Sequence, residues 1–354
     1  MRVLVLHTDV APDAPPDDQD TLWSVKAVDE ALVQRGHDSV TAPFVPELGK
    51  VKALLDEHRP DIVFNLVESV FGLDELAAIT PTMLEKLRVP YTGNHAATLS
   101  VTSDKPLAKE IMRKCGLPTA DWCVPPDWTG WREGRKYIVK SATADCSLGL
   151  DDGAVVVGAK AMRERAGYCS RKYGGRWFAE AYLDGREFNV SVIERNGKPQ
   201  VLPVPEMQFL NWTPGRPKIV GYAAKWDEES SDLVNTERLF GIDEKEPTLA
   251  RKLRDLAAEA WMQFGMHGFG RVDLRLDADN NPFILEVNPN SCIEPGAGLA
   301  AAASAAGLSY SDLIMQVIEE GFRRCSATGS PVAHSKAKSP GASRLASASE
   351  SAPD

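Results

Sequence analysis

Apolar and polar residues are arranged along the first hundred positions in a pattern that predicts strands separated by helices. Apolar runs of strand length occupy residues 3–6, 39–44 and 62–66. Helical periodicity covers residues 22–33, followed by Gly36 as a stop, and residues 75–87. Strands that alternate with helices favour a parallel sheet covered on both faces. We therefore predict an α/β fold in which residues 1–100 form an N-terminal parallel-sheet domain.

The pattern changes near residue 100, where Ser103 is placed to cap a helix that ends at about Cys115. Strand-like runs follow at residues 137–139, 154–157, 177–181, 188–193 and 200–204, and helical runs at residues 159–173, 249–264, 299–306 and 310–322. Asn196–Gly197 predicts a hairpin turn. We predict two further subdomains, residues 101–184 and 185–325. Residues 326–354 are mostly Ser, Ala, Pro, Gly and Lys, so we predict a disordered tail.

A predicted β-hairpin near the end of the chain carries four polar residues on one face. Two alternating runs flank a turn-rich pentad, and symmetric pairing about the Asp279–Asn280 bond is expected. That register places Asp273 opposite Glu286 and Arg271 opposite Asn288, with all four side chains on the same face. The other face then carries the apolar residues Val272, Leu274, Leu276, Phe283, Leu285 and Val287.

The polar face of this hairpin predicts a metal site. Two carboxylates directly opposite each other on a sheet repel, and a divalent cation removes the repulsion. With Asn288 as a third oxygen ligand, Asp273 and Glu286 form a set that suits Mg²⁺, which prefers hard oxygen donors and shares its shell with phosphates. The alternative is a solvated face on which the two carboxylates pair with Arg271 and Arg275.

Composition restricts the class of protein. Hydrophobic residues make up 43% of the chain and charged residues 25%, as in an ordinary soluble protein. The short apolar N-terminus is interpreted as a strand and not as a signal peptide. A net charge of -10 argues against nucleic-acid and anionic-membrane partners. The six cysteines are scattered without a C-x-x-C pair, which argues against a disulfide scaffold or a zinc knuckle and favours the cytoplasm.

The hairpin motif R-x-D followed by E-x-N resembles the magnesium site of ATP-grasp enzymes, specifically the D-alanine–D-alanine ligase branch. The resemblance extends from about Val3 to Phe322. It implies an α+β ATP-grasp architecture, in which a Rossmann-like N-terminal domain precedes two subdomains that sandwich ATP. It also implies Mg²⁺ as the metal, with Mn²⁺ as a substitute and two ions in the site.

The same resemblance assigns a nucleotide site. Lys105 at the start of a helix and Lys140 at the end of a strand would contact the ATP phosphates. Either lysine alone would be interpreted as a surface charge. The remaining contacts would come from a hinge and an apolar wall: Glu180 and the backbone near Leu183 to adenine, Glu187 to ribose, and Ile138 and Leu285 as walls.

Two flexible segments would close over the phosphates. Residues 141–150 are mostly small, so their backbone N–H groups can approach phosphate oxygens. Ser147 and Gly149 fit the serine and glycine positions of the family's loop, whereas Cys146 replaces another serine and is either a reactive thiol or a small filler. In the irregular stretch before residue 227, Lys225 fits the lysine of the family's lid, and Trp226 replaces a tyrosine.

The implied reaction forms an acyl phosphate and then an amide bond, with Arg271 stabilising the oxyanion and with Ser147 and Lys225 at the γ-phosphate. The substrates would be small amino acids or peptides, and the protein a possible homodimer. Asp20 is the candidate partner of a substrate amino group, and Asn290 and Ser291 are further candidate substrate contacts. Alternatives are a ligase for another amino acid or peptide, an ATP-binding regulator without turnover, and a kinase.

Overall fold

The structure is a computed structural model that describes residues 1–227 and 229–327. Its N-terminal part contains a parallel three-stranded sheet in the order β2-β1-β3, as predicted. The elements of this part are β1 (Arg2–His7), α1 (Pro16–Gln34), β2 (Asp38–Pro43), α2 (Leu48–His58), β3 (Ile62–Leu66), α3 (Ile79–Leu87), α4 (Ala96–Thr102) and α5 (Lys105–Lys114).

Three helices of this part differ from the sequence prediction. Helix α1 begins six residues before the predicted start, because Pro16 and the acidic residues Asp17 and Asp18 suit the first turn of a helix although none of them is apolar. Helix α2 was not predicted although it has a short apolar stripe; Val51 is its one buried residue, and Leu54 and Leu55 are half-buried against the same core. Helix α4 was not predicted because it is only seven residues long.

A second sheet lies in the middle of the chain, and its four strands are antiparallel in the order β4-β7-β5-β6. Its elements are β4 (Trp122–Cys123), β5 (Lys136–Ser141), β6 (Val155–Val157), α6 (Ala159–Tyr173) and β7 (Trp177–Ala181). The predicted bounds of α6 and β7 are confirmed. One face of the sheet is buried because Met162, Ala166 and Cys169 of α6 pack against Tyr137 and Trp177.

The third sheet follows the path β11-β10-β8-β12-β13, and β9 pairs with the other end of β8. Its strands are β8 (Glu187–Arg195), β9 (Lys198–Val201), β10 (Glu206–Phe209), β11 (Thr236–Leu239), β12 (Phe269–Leu276) and β13 (Pro282–Pro289). The helices of this region are α7 (Ala223–Trp226), α8 (Ser231–Asn235), α9 (Ile242–Lys245), α10 (Pro247–Gln263), α11 (Gly298–Ala305) and α12 (Tyr310–Ala327). Helix α12 includes the first two residues of the predicted tail, and residues 328–354 lie outside the described residues.

The two ends of the chain share one hydrophobic core. Val3 and Val5 of β1 belong to the same buried cluster as Leu313, Ile314 and Val317 of α12. The last helix therefore covers the first sheet, and the N-terminal strands depend on residues 300 positions later in the chain. The division into domains at residues 100 and 184 stays a prediction. No helix within the described residues is long and apolar enough to cross a membrane.

The strand pairing of the β12–β13 hairpin is as predicted between residues 271 and 273 and their partners, and it differs from the prediction nearer the turn. Asp273 lies opposite Glu286, and Arg271 lies opposite Asn288. A β-bulge after Asp273 then shifts the register, because β13 contains one extra residue. The assignment of Phe283 and Leu285 to the core face was therefore wrong. The buried apolar face contains Val272, Leu274, Leu276, Ile284 and Val287.

Asn94 joins the segment after β3 to both ends of this hairpin. Its side chain is fully buried; Nδ2 donates to the Phe269 carbonyl at 3.0 Å and to Asn290 Oδ1 at 3.0 Å. Its Oδ1 accepts from the backbone N–H of His267 at 2.8 Å. All polar atoms of this side chain are therefore used to fix one part of the chain against another.

We expect Asn94→Ala to lower the free energy of unfolding by about 2–3 kcal/mol, because it leaves the His267 N–H without its partner and leaves the buried Phe269 carbonyl with only the Asn290 N–H as a donor. Chemical denaturation followed by circular dichroism measures the effect. Thr82→Ala is the control, since it also removes a side-chain hydrogen bond but at an exposed position. Equal stabilities of the two variants would contradict the role given to Asn94.

Candidate active site

Three charged side chains form a buried line between α5 and the second sheet. The carboxylate of Glu180 on β7 lies 2.6 Å from Lys109 Nζ through Oε2, and its Oε1 pairs with the ammonium of Lys140 on β5. The side chains of Lys109 and Glu180 are each 1% exposed, whereas that of Lys140 is 13% exposed. Burial alone would raise the pKa of Glu180, but the two ammonium groups lower it, so the carboxylate is held ionised.

Lys105 lies at the N-terminus of α5 and contacts the loop at residues 141–150. Asp104, and not Ser103 as predicted, caps the helix by accepting from the Leu107 N–H at 3.0 Å. The ammonium of Lys105 donates to the Ala144 carbonyl at 3.0 Å and to Asp145 Oδ1 at 2.8 Å. The predicted phosphate lysine is therefore positioned on the predicted phosphate loop.

The loop itself has an unusual backbone. Cys146 and Ser147 have φ values of 54° and 63°, and Gly149 has a φ of 68°. Two successive non-glycine residues in the left-handed region are held there by surrounding contacts, and such strain is concentrated at functional sites. A side chain at Gly149 would come within 2.6 Å of the Trp177 ring, so only glycine fits this position.

The polar face of the β12–β13 hairpin is connected by hydrogen bonds; Asp273 is buried, and Arg271, Glu286 and Asn288 are half-buried. Arg271 donates to both oxygens of Asp273, at 2.7 and 2.8 Å. Asn189 and Asn288 donate to the same carboxylate at 2.9 and 3.0 Å. Asp273 is only 5% exposed. The alternative prediction included the pair between Arg271 and Asp273, which is present, so the metal site stays a prediction.

Arg275, the other arginine of that alternative, lies elsewhere. Its guanidinium pairs with Glu187 at 3.4 Å, at the far end of the hairpin. Glu187, the predicted ribose contact, is buried at the start of β8. Its carboxylate is thus held by an arginine and lies on the strand next to Asp273 and Arg275.

Positive charge from separate segments converges on Glu286. Burial alone would raise the pKa of this carboxyl group, but a set of cations holds it at about 2; these are, in order of effect, Lys105, Lys140, Arg271 and Lys225. Burial raises the pKa of Asp273, and the neighbouring charge of Glu286 raises it further. The two carboxylates therefore oppose each other electrostatically, as their register predicts, and a cation between them would relieve the repulsion.

The donor set of this face fits a hard cation. It offers two carboxylates and the Asn288 amide, which lies within hydrogen-bond distance of both, at 3.0 Å from Asp273 and 3.4 Å from Glu286. Within residues 1–227 and 229–327, no group of three or more His, Cys, Asp and Glu side chains is arranged to hold a metal ion. A cation here would therefore depend on the amide and on oxygen atoms from outside the chain.

The lid segment contacts the loop and the N-terminal helix. Ser147 Oγ donates to the Val220 carbonyl at 2.8 Å, and the Tyr222 N–H donates to the Leu150 carbonyl at 3.2 Å. Tyr222 Oη donates to Asp17 on α1 at 2.9 Å. Lys225 follows on α7 and is exposed. The predicted lid is thus closed against two other parts of the chain.

A cavity of about 800 Å³ opens between this lid and the loop. Its walls include apolar side chains and two arginine–aspartate pairs, namely Leu150, Ile219, Arg165 with Asp151, and Arg216 with Asp232. Lys140 and the hairpin carboxylates are not part of its lining. The cavity therefore borders the loop at residues 141–150 and the lid, which form two of its walls.

An acidic pair lies on the N-terminal side of the site. Asp20 is on α1, and not in a loop as its aspartate-rich sequence suggested; its Oδ2 accepts from Cys292 Sγ at 2.9 Å. Glu68, which the sequence analysis did not identify, accepts from Thr21 Oγ1 at 3.1 Å. Burial and the neighbouring Asp20 raise the pKa of Glu68 to about 8. A carboxyl group with this pKa is mostly protonated at neutral pH, so the pair beside Cys292 binds a proton and does not carry two full negative charges.

The remaining predicted residues have mixed positions. Leu183 packs beside the core of the second sheet, and Leu285 is the residue that the bulge removes from the core face. Trp226 Nε1 and Ser291 Oγ are buried atoms that have no hydrogen-bond partner among the described residues. The side-chain oxygen of Asn290 accepts from Asn94, so a substrate contact from this residue would use its amide nitrogen and stays a prediction.

Lys109 was missed because a lysine in a helix is usually exposed. A signal was nevertheless present, since the buried stripe of α5 consists of Lys105, Ala108, Lys109 and Met112. These positions follow the i, i+3, i+4, i+7 spacing of an apolar face. Lysines at two such positions indicate buried ammonium groups that need partners.

Comparisons with known proteins agree with this geometry. The sequence model of the family described as D-ala D-ala ligase C-terminus matches residues 131–319. The D-alanine–D-alanine ligase of Moorella thermoacetica is 30% identical over 84% of this chain and 93% of its own. The D-alanine–D-alanine ligase of Bordetella petrii is 28% identical over 85% of this chain and 87% of its own.

Solved structures show the same fold. The D-alanine–D-alanine ligase of Bacillus anthracis complexed with ATP superposes with a TM-score of 0.72 at 18% identity, covering 93% of this chain and 100% of that one. The chain therefore belongs to the D-alanine–D-alanine ligase family and is an ATP-dependent carbon–nitrogen ligase of the ATP-grasp type.

Proposed function

We propose that the enzyme transfers the γ-phosphoryl group of ATP to a substrate carboxylate and then passes the acyl group to an amine, releasing ADP and phosphate. One observation carries the proposal: four cations from separate segments converge on Glu286. Phosphoryl transfer to a carboxylate brings several negative charges together, and fixed cations in a buried site stabilise them. Lys105, Lys140 and Lys225 are assigned to the phosphates, and Arg271 to the oxyanion formed when the amine attacks.

The nucleotide contacts follow the positions of the predicted residues. The backbone near Leu183 is assigned to adenine, and Glu187 to ribose. Glu180 was predicted to contact adenine, but its carboxylate is 1% exposed and is paired with Lys109 and Lys140, so we assign it to holding these lysines instead. The β-bulge supports Leu285 as an apolar wall, because it removes this side chain from the core face. Ile138 is less accessible, since it is buried in a small cluster with Ala154 and Ile219. We therefore favour Leu285 over Ile138 as the wall.

Asp273, Glu286 and Asn288 would hold Mg²⁺ or, in its place, Mn²⁺. We assign two ions to the site, both shared with the ATP phosphates. When bound, the metal would neutralise phosphate charge. Arg271 has a second task in this arrangement: its bidentate pair with Asp273 fixes the orientation of that carboxylate. The lid over residues 141–150, with Ser147 bonded to Val220, would exclude water from the acyl phosphate.

The amino acid substrate is D-alanine if the chain shares the specificity named for its relatives. Asp20 would then pair with the amino group, and Trp226 and Ser291 would line the substrate space. A second candidate is another amino acid or a peptide. The cavity of about 800 Å³ beside the lid favours it, because this space is adjacent to the closing segment and exceeds the needs of alanine.

The enzyme is incubated with Mg²⁺, ATP and one substrate from a panel that contains D-alanine, other D- and L-amino acids and dipeptides. We expect ADP and phosphate to be released with at least one member of the panel. Coupled phosphate detection and mass spectrometry identify the product. D-Alanyl-D-alanine would support the first substrate, and turnover of a different pair the second. A stable phosphorylated product without free phosphate would indicate a kinase, and nucleotide binding without turnover of any panel member would favour a regulator.

We expect Asp273→Asn to raise the Mg²⁺ concentration needed for half-maximal phosphate release by about 10-fold or more, because a neutral amide is a weaker ligand than a carboxylate. Chelation of the metal should abolish phosphate release. Glu237→Gln is the matched control, since it neutralises an exposed carboxylate on β11 of the same sheet. An unchanged Mg²⁺ requirement in Asp273→Asn would remove this residue from the metal site.

A further inference from the structure

Lys109 carries a charge at a position where charge is strongly unfavourable. Its side chain is 1% exposed and lies on the inner face of α5. Nζ is 2.6 Å from Glu180 Oε2 and donates to Thr119 Oγ1 at 2.8 Å. Burial lowers the pKa of this lysine, and the carboxylate of Glu180 counteracts that effect. Lys109 is too deeply buried to contact a substrate, so its function must be exerted through Glu180.

The three charges differ in their access to the cleft. Glu180 separates Lys109, which is completely enclosed, from Lys140, whose side chain is 13% exposed. Two ammonium groups and one carboxylate give this cluster a net charge of +1 (2 − 1). Without Lys109 the sum becomes zero (1 − 1), because Glu180 would then neutralise Lys140. The positive charge that faces the cleft therefore depends on an ammonium group that does not face it.

We propose that Lys109 is a positioning residue for nucleotide binding, whose ammonium neutralises Glu180 and leaves the positive charge of Lys140 available to the ATP phosphates. The proposal rests on the proposed assignment of Lys140 to the phosphates. It extends that assignment, because it explains why a carboxylate can lie against a phosphate-binding lysine without cancelling its charge. Lys109 neutralises Glu180 from the enclosed side, and Lys140 contacts Glu180 from the side that faces the cleft.

A purely structural role must be distinguished from this one. Thr119 Oγ1 donates to the Ile284 carbonyl at 2.8 Å, and the Ile284 N–H donates to the Pro118 carbonyl at 2.8 Å. Lys109 therefore also fixes β13 beside its bulge through Thr119. Loss of this link would destabilise the hairpin whatever the charge of the cluster. The two roles predict different effects on ligands with and without phosphates.

The test is the affinity of the full chain for Mg²⁺-ATP, ADP and adenosine, measured by isothermal titration calorimetry without any amino acid. We expect Lys109→Met and Lys109→Gln to raise the Kd for ATP by about 10-fold or more, because one full charge is removed within a few ångströms of Lys140. The Kd for adenosine should stay within about twofold, since adenosine carries no charge. Gln keeps hydrogen-bonding capacity toward Thr119 and so isolates the loss of charge.

The double variant Lys109→Met with Glu180→Gln restores the net charge of +1 and should recover most of the ATP affinity lost in the single variant. Met112→Ala is the control for helix packing, because this buried residue lies one turn further along α5 and carries no charge. It should lower thermal stability and leave both Kd values unchanged. Equal weakening of ATP and adenosine by Lys109→Gln, or no rescue in the double variant, would overturn the proposal. The outcome is independent of which amino acids are ligated.

Discussion

The opposition of Asp273 and Glu286 across two paired strands is the constraint on which the active site depends. Asp273 is buried and Glu286 is half-buried, and the strand register holds the two residues directly opposite each other. Cations at the start of α5, on β5, on β12 itself and on the lid offset this repulsion. Because no single element supplies enough positive charge, all of these segments must be in place together. The site is thus a property of the complete fold and not of any one motif.

The same dependence appears in the scaffold. Asn94 fixes the segment after β3 to both ends of the hairpin, and this explains why the side-chain oxygen of Asn290 faces inward and not toward a substrate. Tyr222 connects the lid to Asp17 on α1. The N-terminal part therefore contacts the β12–β13 hairpin through Asn94 and the lid through Asp17. Substrates of a ligase must be aligned within tenths of an ångström, and these cross-links provide the necessary rigidity.

Much of this arrangement could be predicted from the sequence. The pairing of Asp273 with Glu286 followed from the period of two in a strand and from the position of the turn. The bulge did not, because Ile284 and Leu285 are both apolar and either can face a core. The start of α1 was missed since its first turn is acidic, and Lys109 was missed since a lysine gives no sign of burial when it is read alone. The sequence-based predictions failed at positions whose surroundings are determined only by tertiary contacts.

The shared core of the two chain ends has a consequence for synthesis of the protein. Val3 and Val5 are made about 310 residues before Leu313, Ile314 and Val317, which complete their core. At typical translation rates this delay is roughly 15–60 s. During that time α1, whose residues Val28 and Leu32 belong to the same cluster, is available to pack beside the first strands. The N-terminal sheet can therefore complete its core only after α12 has left the exit tunnel.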